Sequence, residues 1–140
     1  MTLTPIMTTE ATASGGRNGR SSLEGGRLVL GMALPKELAG PAAIDGMNPE
    51  QLFAMGWSSC FGQALILLGK KHGVDASRAA VTCLITLNRD ETSFALSAEI
   101  KVSIPGEDAG KVKALIEDAH QICPYSKATR GNVPVTLTVA

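Results

Sequence analysis

The sequence offers no net charge to a partner: its 13 basic side chains (Lys and Arg) cancel its 13 acidic ones, and charged residues make up only 19% of the chain. Without a field of one sign, nothing draws it to a polyanionic nucleic acid or an anionic lipid surface, so no nucleic-acid partner is expected. Histidine is scarce, with His72 and His120 alone, and the 3 cysteines, Cys60, Cys83 and Cys123, contain no close pair. That leaves no zinc-type ligand spacing, and no metal site is expected. The opening stretch MTLTPIMTTEATAS lacks a basic start followed by a long apolar run, so it does not read as a secretory signal, and a cytoplasmic location is expected. One uncharged run remains, QLFAMGWSSCFGQALILLG over residues 51–69. Gln51, Ser58, Ser59 and Gln63 dilute it below the roughly 20 apolar residues of a bilayer span. It predicts a buried helix rather than a membrane segment.

What is present is ordinary globular material. A chain of 140 residues, 44% hydrophobic, has the length of one domain spanning residues 1–140. IMTTEATA suits a short strand, GGRNGRSSLEGG a glycine- and serine-rich loop, and RLVLGMAL a strand with Leu28, Leu30, Met32 and Leu34 on one face. Asn48 then opens a long helix as N-cap, with Pro49 at the first helical position and Glu50 at the positive end of the dipole. Lys70, Lys71 and His72 before Gly73 mark its end. Its middle is apolar on nearly every side, so it should be central and covered all round.

Val81, Cys83, Ile85 and Leu87 alternate along the next segment, and Phe94, Leu96, Ala98, Ile100, Val102 and Ile104 alternate along the one after it, predicting an antiparallel pair. Val112, Leu115, Ile116, Ala119 and Cys123 recur at helical spacing, Pro124 reads as a helix stop, and VPVTLTV is a closing strand. The predicted order is ββ-α-ββ-α-β and the class is α+β, with antiparallel sheets around a long central helix.

Cys83 falls on the inward face of a strand, where free cysteine behaves as a small hydrophobe. Cys60 and Cys123 each lie in a helix, where a sulfur can face a groove. A structural disulfide between them is not expected in a reducing cytosol, but a transient, functional one is a recognised exception. A reactive member needs a nearby cation or helix N-terminus to lower its pKa; Arg17, Arg20, Arg27, Lys127 and Arg130 all qualify on sequence alone. His120, one turn before Cys123, also leaves a cysteine hydrolase open.

Two segments, NPEQLFAMGWSSCFGQAL and AHQICPYSKATRGNV, together with ATASGGRNG and LVLGMALPKELAG, resemble the organic hydroperoxide resistance proteins, the peroxidase branch of the Ohr/OsmC family. The resemblance runs from about Ala11 onward and implies an OsmC-like fold in an intertwined homodimer. Carried over by position, it implies Cys60 as peroxidatic cysteine, Cys123 as resolving cysteine, Arg17 as active-site arginine and Glu50 as the carboxylate that holds it. It also implies no bound cofactor, an organic hydroperoxide substrate, and dihydrolipoamide on a lipoylated protein as electron donor. A thiol sensor using the same cysteines and an OsmC-type peroxidase are the alternatives. The wording departs from the family at GWSSCF, where tyrosine-alanine-alanine is usual before the cysteine, at SSLEGG and at the connector PAAIDGM.

One geometric constraint follows from the long helix. Glu50 and Cys60 are ten residues apart, which at 1.5 Å per residue separates them by about 15 Å. If both serve one site, either the helix breaks near Gly56 or Glu50 reaches the cysteine of a second chain. The all-round apolar helix favours the second chain.

Overall fold

A computed structural model of the chain describes residues 2–140, which fall into two compact units divided between Pro49 and Glu50. The first unit is an antiparallel meander of β1 (Ala11–Ser14), β2 (Arg20–Leu23) and β3 (Val29–Gly31) followed by a short helix α1 (Lys36–Ala39). The β1–β2 connection is tight because of its glycines. Gly15 has φ +79°, and a Cβ on Gly19 would lie 1.7 Å from the Ser14 carbonyl oxygen, so only glycine closes this turn. Arg17 sits at its tip in a 3-10 turn, Gly16–Asn18. Further on, Met47 lies beside β3 in a bridge to Met32, exchanging backbone hydrogen bonds with Gly31 and Ala33 of 2.9 Å each.

The second unit holds the main core. The long helix α2 (Pro49–Gly69) continues through a 3-10 turn, Lys70–His72, and ends at Gly73 in the left-handed region, where the cation-rich end and the glycine predict it. Strands β4 (Ala80–Arg89) and β5 (Phe94–Ser103) form an antiparallel hairpin, closed by Asp90 Oδ1 accepting from the amides of Thr92 and Ser93. Helix α3 (Ala109–Ile122) starts on Asp108, whose Oδ2 accepts from the Lys111 amide at 3.0 Å. Helix α4 (Pro124–Thr129) follows at once, and β6 (Val135–Val139) completes the sheet in the order β4-β5-β6.

Alternation and helical spacing put most of the expected residues inside, the exceptions being Leu28 and Phe94 at 49% and 52% exposure. Ala98, Ile100, Val102 and Ile104 from the β5 run, Val112, Leu115, Ile116 and Ala119 from α3, and Trp57, Phe61 and Leu65 from α2 form one buried cluster that includes Cys123. Each fully buried large side chain contributes about 1.5–3 kcal/mol relative to exposure. Asp118 of α3 ties the end of α2 to this core, accepting from Lys71 Nζ at 3.1 Å and pairing with His72 Nε2 at 2.9 Å. The His72 contact, then the Lys71 contact, hold the Asp118 carboxyl below the ordinary carboxylate value.

The α+β class and the central helix stand, with four corrections of detail. The loop GGRNGRSSLEGG contains a strand, β2, and the first strand begins at Ala11 rather than Ile6, because backbone pairing on both sides recruits the polar Arg-Ser-Ser-Leu segment. The second sheet is not wholly antiparallel: β6 pairs parallel to β5, since the chain crosses over through α3 and α4 and returns in the same direction. Pro124 does more than stop a helix. It ends α3 and occupies the first position of α4, where its missing N–H is no loss.

The fourth correction concerns the cover on α2. Within one chain α2 is covered on a single side, and Met55, Ile66 and Leu67 are 61%, 52% and 67% exposed. By length and composition the helical run Pro49–His72 would suffice to cross a membrane, yet Trp57, Phe61 and Leu65 are fully buried in the core.

The core assignment is checked by truncation. Leu115→Ala, at a site with 0% exposure, is expected to lower the urea-unfolding free energy by about 2–5 kcal/mol. Leu84→Ala, on the outer face of β4 and 41% exposed, is expected to change it by less than about 1 kcal/mol.

Candidate active site

Helix α2 and the α3–α4 junction bring two thiols together. Cys60 lies in the middle of α2 and Cys123 is the single residue between α3 and α4, serving as C-cap of one and N-cap of the other. The Cys60 and Cys123 thiols share a hydrogen bond with their Sγ atoms 3.4 Å apart, and both cysteines are free. Their surroundings differ. Cys123 has no exposed surface, whereas Cys60 is only partly buried. The arrangement therefore has an inner and an outer sulfur.

The seam between α2 and α4 explains why they meet. Gly56 allows the close approach, because a Cβ there would lie 3.0 Å from the Tyr125 hydroxyl. Phe53 stacks on Trp57 with ring centroids 5.4 Å apart and meets Tyr125 at 6.1 Å. Trp57 Nε1 donates to Ser126 Oγ at 3.2 Å inside the seam, where both residues are wholly buried. Leu52, Phe53, Tyr125, Ala128 and Thr129 line a largely apolar cavity of about 450 Å³ beside it. Arg130 locks the other side of the junction: its Nη2 donates to the His120 carbonyl at 2.6 Å, tying the end of α4 to the last turn of α3.

Burial pushes the Cys60 thiol above its ordinary value; the Tyr125 backbone amide opposes this by donating a hydrogen bond to the sulfur, and the Cys123 thiol adds to the rise. Cys83, half-buried on the core side of β4, is pushed up to about 11 by burial and then by the charge of Cys123. Its inward strand position agrees with the hydrophobic role expected of it.

The other sequence candidates fall as follows. Glu50 is in the first turn of α2, and α2 runs unbroken through Gly56, so ten residues of helix separate Glu50 from Cys60 within one chain. That excludes the broken-helix option. Arg17 is half-buried at the β1–β2 turn of the first unit. His120 is not joined to either thiol through Nδ1, which is buried without a hydrogen-bond partner, and its ring packs 6.4 Å from Phe61. Burial, then the Arg130 charge, lowers its pKa. Nδ1 of His120 thus engages neither thiol as the base of a cysteine hydrolase would. Among the described residues, no three of His, Cys, Asp and Glu gather as a metal site would require.

Sequence reading missed the Tyr125 amide and Ser126 as parts of this site. A helix-starting proline directly after Cys123 was the available signal, since it implies a free first-turn amide two residues beyond the cysteine.

A long apolar helix against a three-stranded mixed sheet, with a half-exposed thiol meeting a buried one, defines the protein class. The model of the OsmC-like protein family matches residues 40–138, and the chain belongs to that family. Within it the chain falls in the organic hydroperoxide resistance branch. The organic hydroperoxide resistance protein of Xanthomonas axonopodis pv. citri is 38% identical over 136 residues, 96% of this chain and 95% of that one. The crystal structure of the organic hydroperoxide resistance protein from Elizabethkingia anophelis superposes with a TM-score of 0.88 at 42% identity, covering 99% of both chains. That of OhrB from Bacillus subtilis gives 0.85 at 36% identity, covering 96% of this chain and 98% of the other.

The contact makes a definite chemical prediction. Mild diamide oxidation of the folded protein should give one intramolecular Cys60–Cys123 disulfide and leave Cys83 alkylatable after unfolding, as read by peptide mass mapping. A Cys83 disulfide, or a cross-link between chains, would contradict the site described.

Proposed function

We propose that this protein is a cysteine-based peroxidase that reduces organic hydroperoxides to alcohols and is regenerated by a dithiol. The single observation that carries the reading is the 3.4 Å contact between a partly exposed Cys60 and a fully buried Cys123. The names of the relatives supply the substrate class, an organic hydroperoxide.

In the cycle, the Cys60 thiolate attacks the terminal oxygen of R–O–OH. An S–O bond forms, the O–O bond breaks, and the alkoxide leaves and takes a proton to become the alcohol. Cys60 is left as a sulfenic acid. Cys123 then attacks Cys60 Sγ, forming the disulfide and expelling the hydroxyl as water. Reduction follows from the burial difference. Thiol exchange needs access to the attacked cysteine, and of the pair only Cys60 keeps any exposed surface. One thiolate of the donor bonds to Cys60 and Cys123 leaves; the second donor thiol closes on the first and releases Cys60. The sum is hydroperoxide plus dithiol to alcohol, water and cyclic disulfide. Dihydrolipoamide on a lipoylated protein is the dithiol proposed. A monothiol is a poor substitute, because Cys123 stands beside Cys60 and ejects it by reversing the first exchange.

Burial alone keeps the Cys60 thiol protonated, so the site needs a cation. Arg17 is proposed for that role, favouring the thiolate and the departing alkoxide, with Glu50 holding its fork. Since α2 is unbroken between Glu50 and Cys60, we place Glu50 of one chain with Cys60 of a second, in an intertwined homodimer. The exposed apolar side chains Met55, Ile66 and Leu67 on α2 suit that cover. Free thiols that work as a dithiol suit a reducing, cytoplasmic setting.

The decisive assay mixes the protein with cumyl hydroperoxide and dihydrolipoamide and follows peroxide loss. Turnover is expected in the wild type and none in Cys60→Ser, while Cys123→Ser should complete one round and then over-oxidise at Cys60. Turnover by Cys60→Ser would end the proposal, and oxidation without turnover would point to a sensor. The cation role is read from alkylation against pH, because losing a cation raises the thiol pKa. Arg17→Met should therefore move the Cys60 profile to higher pH and slow alkylation at pH 7, by about tenfold if the profile moves by one pH step. A profile that stays in place removes Arg17 from the site. Sedimentation showing a fully active monomer would remove the shared site.

A further inference from the structure

The buried hydrogen bond between Trp57 and Ser126 runs alongside the thiol contact. Trp57 lies three residues before Cys60 on α2, and Ser126 lies three residues after Cys123 in α4. Residues three apart share a helix face and stand about one turn from each other. The two cross-helix contacts, Nε1 to Oγ at 3.2 Å and Sγ to Sγ at 3.4 Å, are therefore successive ties across one seam. Both Trp57 and Ser126 have 0% exposure, so no water replaces the bond if either partner is lost.

We infer that Trp57 and Ser126 are positioning residues for the redox pair: their hydrogen bond fixes α4 against α2 so that the Cys60–Cys123 disulfide closes by side-chain movement without displacing either backbone. The distances support this. A disulfide needs about 2.05 Å between sulfurs, so the thiols at 3.4 Å must approach by roughly 1.4 Å. Rotation about the Cys60 side-chain bonds covers that if the helices hold still. Oxidation is S–H plus S–H to S–S, with two electrons and two protons passed to the oxidant. The tie acts on its equilibrium by raising the effective concentration of one thiol at the other. Loosening the seam should make the disulfide easier to reduce.

Trp57 is also the sole tryptophan of the chain. With its N–H bonded across the seam that the disulfide closes, its emission should report the redox state.

The inference rests on the thiol–disulfide cycle proposed above, but its test uses no peroxide, so failure of peroxide turnover and failure of the tie are separate results. Wild type, Ser126→Ala, Trp57→Phe and Val102→Ala are oxidised with diamide, equilibrated across a series of reduced and oxidised dithiothreitol, quenched by alkylation and scored for disulfide. Ser126→Ala and Trp57→Phe are expected to lower the equilibrium constant for the disulfide by about tenfold, a midpoint about 30 mV more oxidising. Val102→Ala weakens the core on β5 away from the seam, and should lower the melting temperature with an unchanged midpoint. Wild-type tryptophan emission should change on oxidation, and less so in Ser126→Ala. If Trp57→Phe does not fold, Ser126→Ala, which removes one oxygen, carries the test alone. An unchanged midpoint in folded Ser126→Ala overturns the proposal, as does an equal displacement of the midpoint in Val102→Ala.

Discussion

The structure depends on how closely α4 can lie against α2. Everything chemical in the second unit sits on that seam: Gly56 admits Tyr125, Trp57 reaches Ser126, and Cys60 meets Cys123. A long helix in the core gives one side of the seam its rigidity, because Trp57, Phe61 and Leu65 are fully buried among the side chains of β5 and α3. The other side is only six residues long, too short to hold itself as an isolated helix. It is held by Pro124 at its first position, by the Ser126 hydroxyl, and by Arg130 reaching back to α3. A short helix clamped at both ends delivers one sulfur to a fixed place.

The same seam creates an asymmetry between two chemically identical groups. Cys60 belongs to a helix with an outer face, and Cys123 is wholly buried at a junction whose neighbours Ile122 and Tyr125 are exposed. Burial raises the Cys60 thiol and the Tyr125 amide opposes that rise, so the environment sets nucleophilicity as much as the residue does.

Much of this was legible in the residues. The alternation from Ala98 to Ile104 and the spacing of Val112, Leu115, Ile116, Ala119 and Cys123 named the buried faces, because burial selects apolar side chains at those periods. Asn48, Pro49 and Gly73 bounded α2, since caps and breakers act locally. What failed depended on partners outside the segment itself. Strand β2 is polar and exists through its two neighbours, and β6 takes its direction from a crossover that no local pattern encodes. The cysteine pair was a candidate from its residues, but no local pattern pointed to Ser126 as the partner of Trp57, 69 positions away.

Cys83 shows how burial sorts reactivity within a chain carrying three thiols. Held at about 11, it is ionised in only roughly one molecule in ten thousand at pH 7. A reagent that needs a thiolate meets, on the sheet, a half-buried sulfur whose proton is held in place. Burial on the strand, with no recognition element, thus withholds one of three thiols from thiolate chemistry.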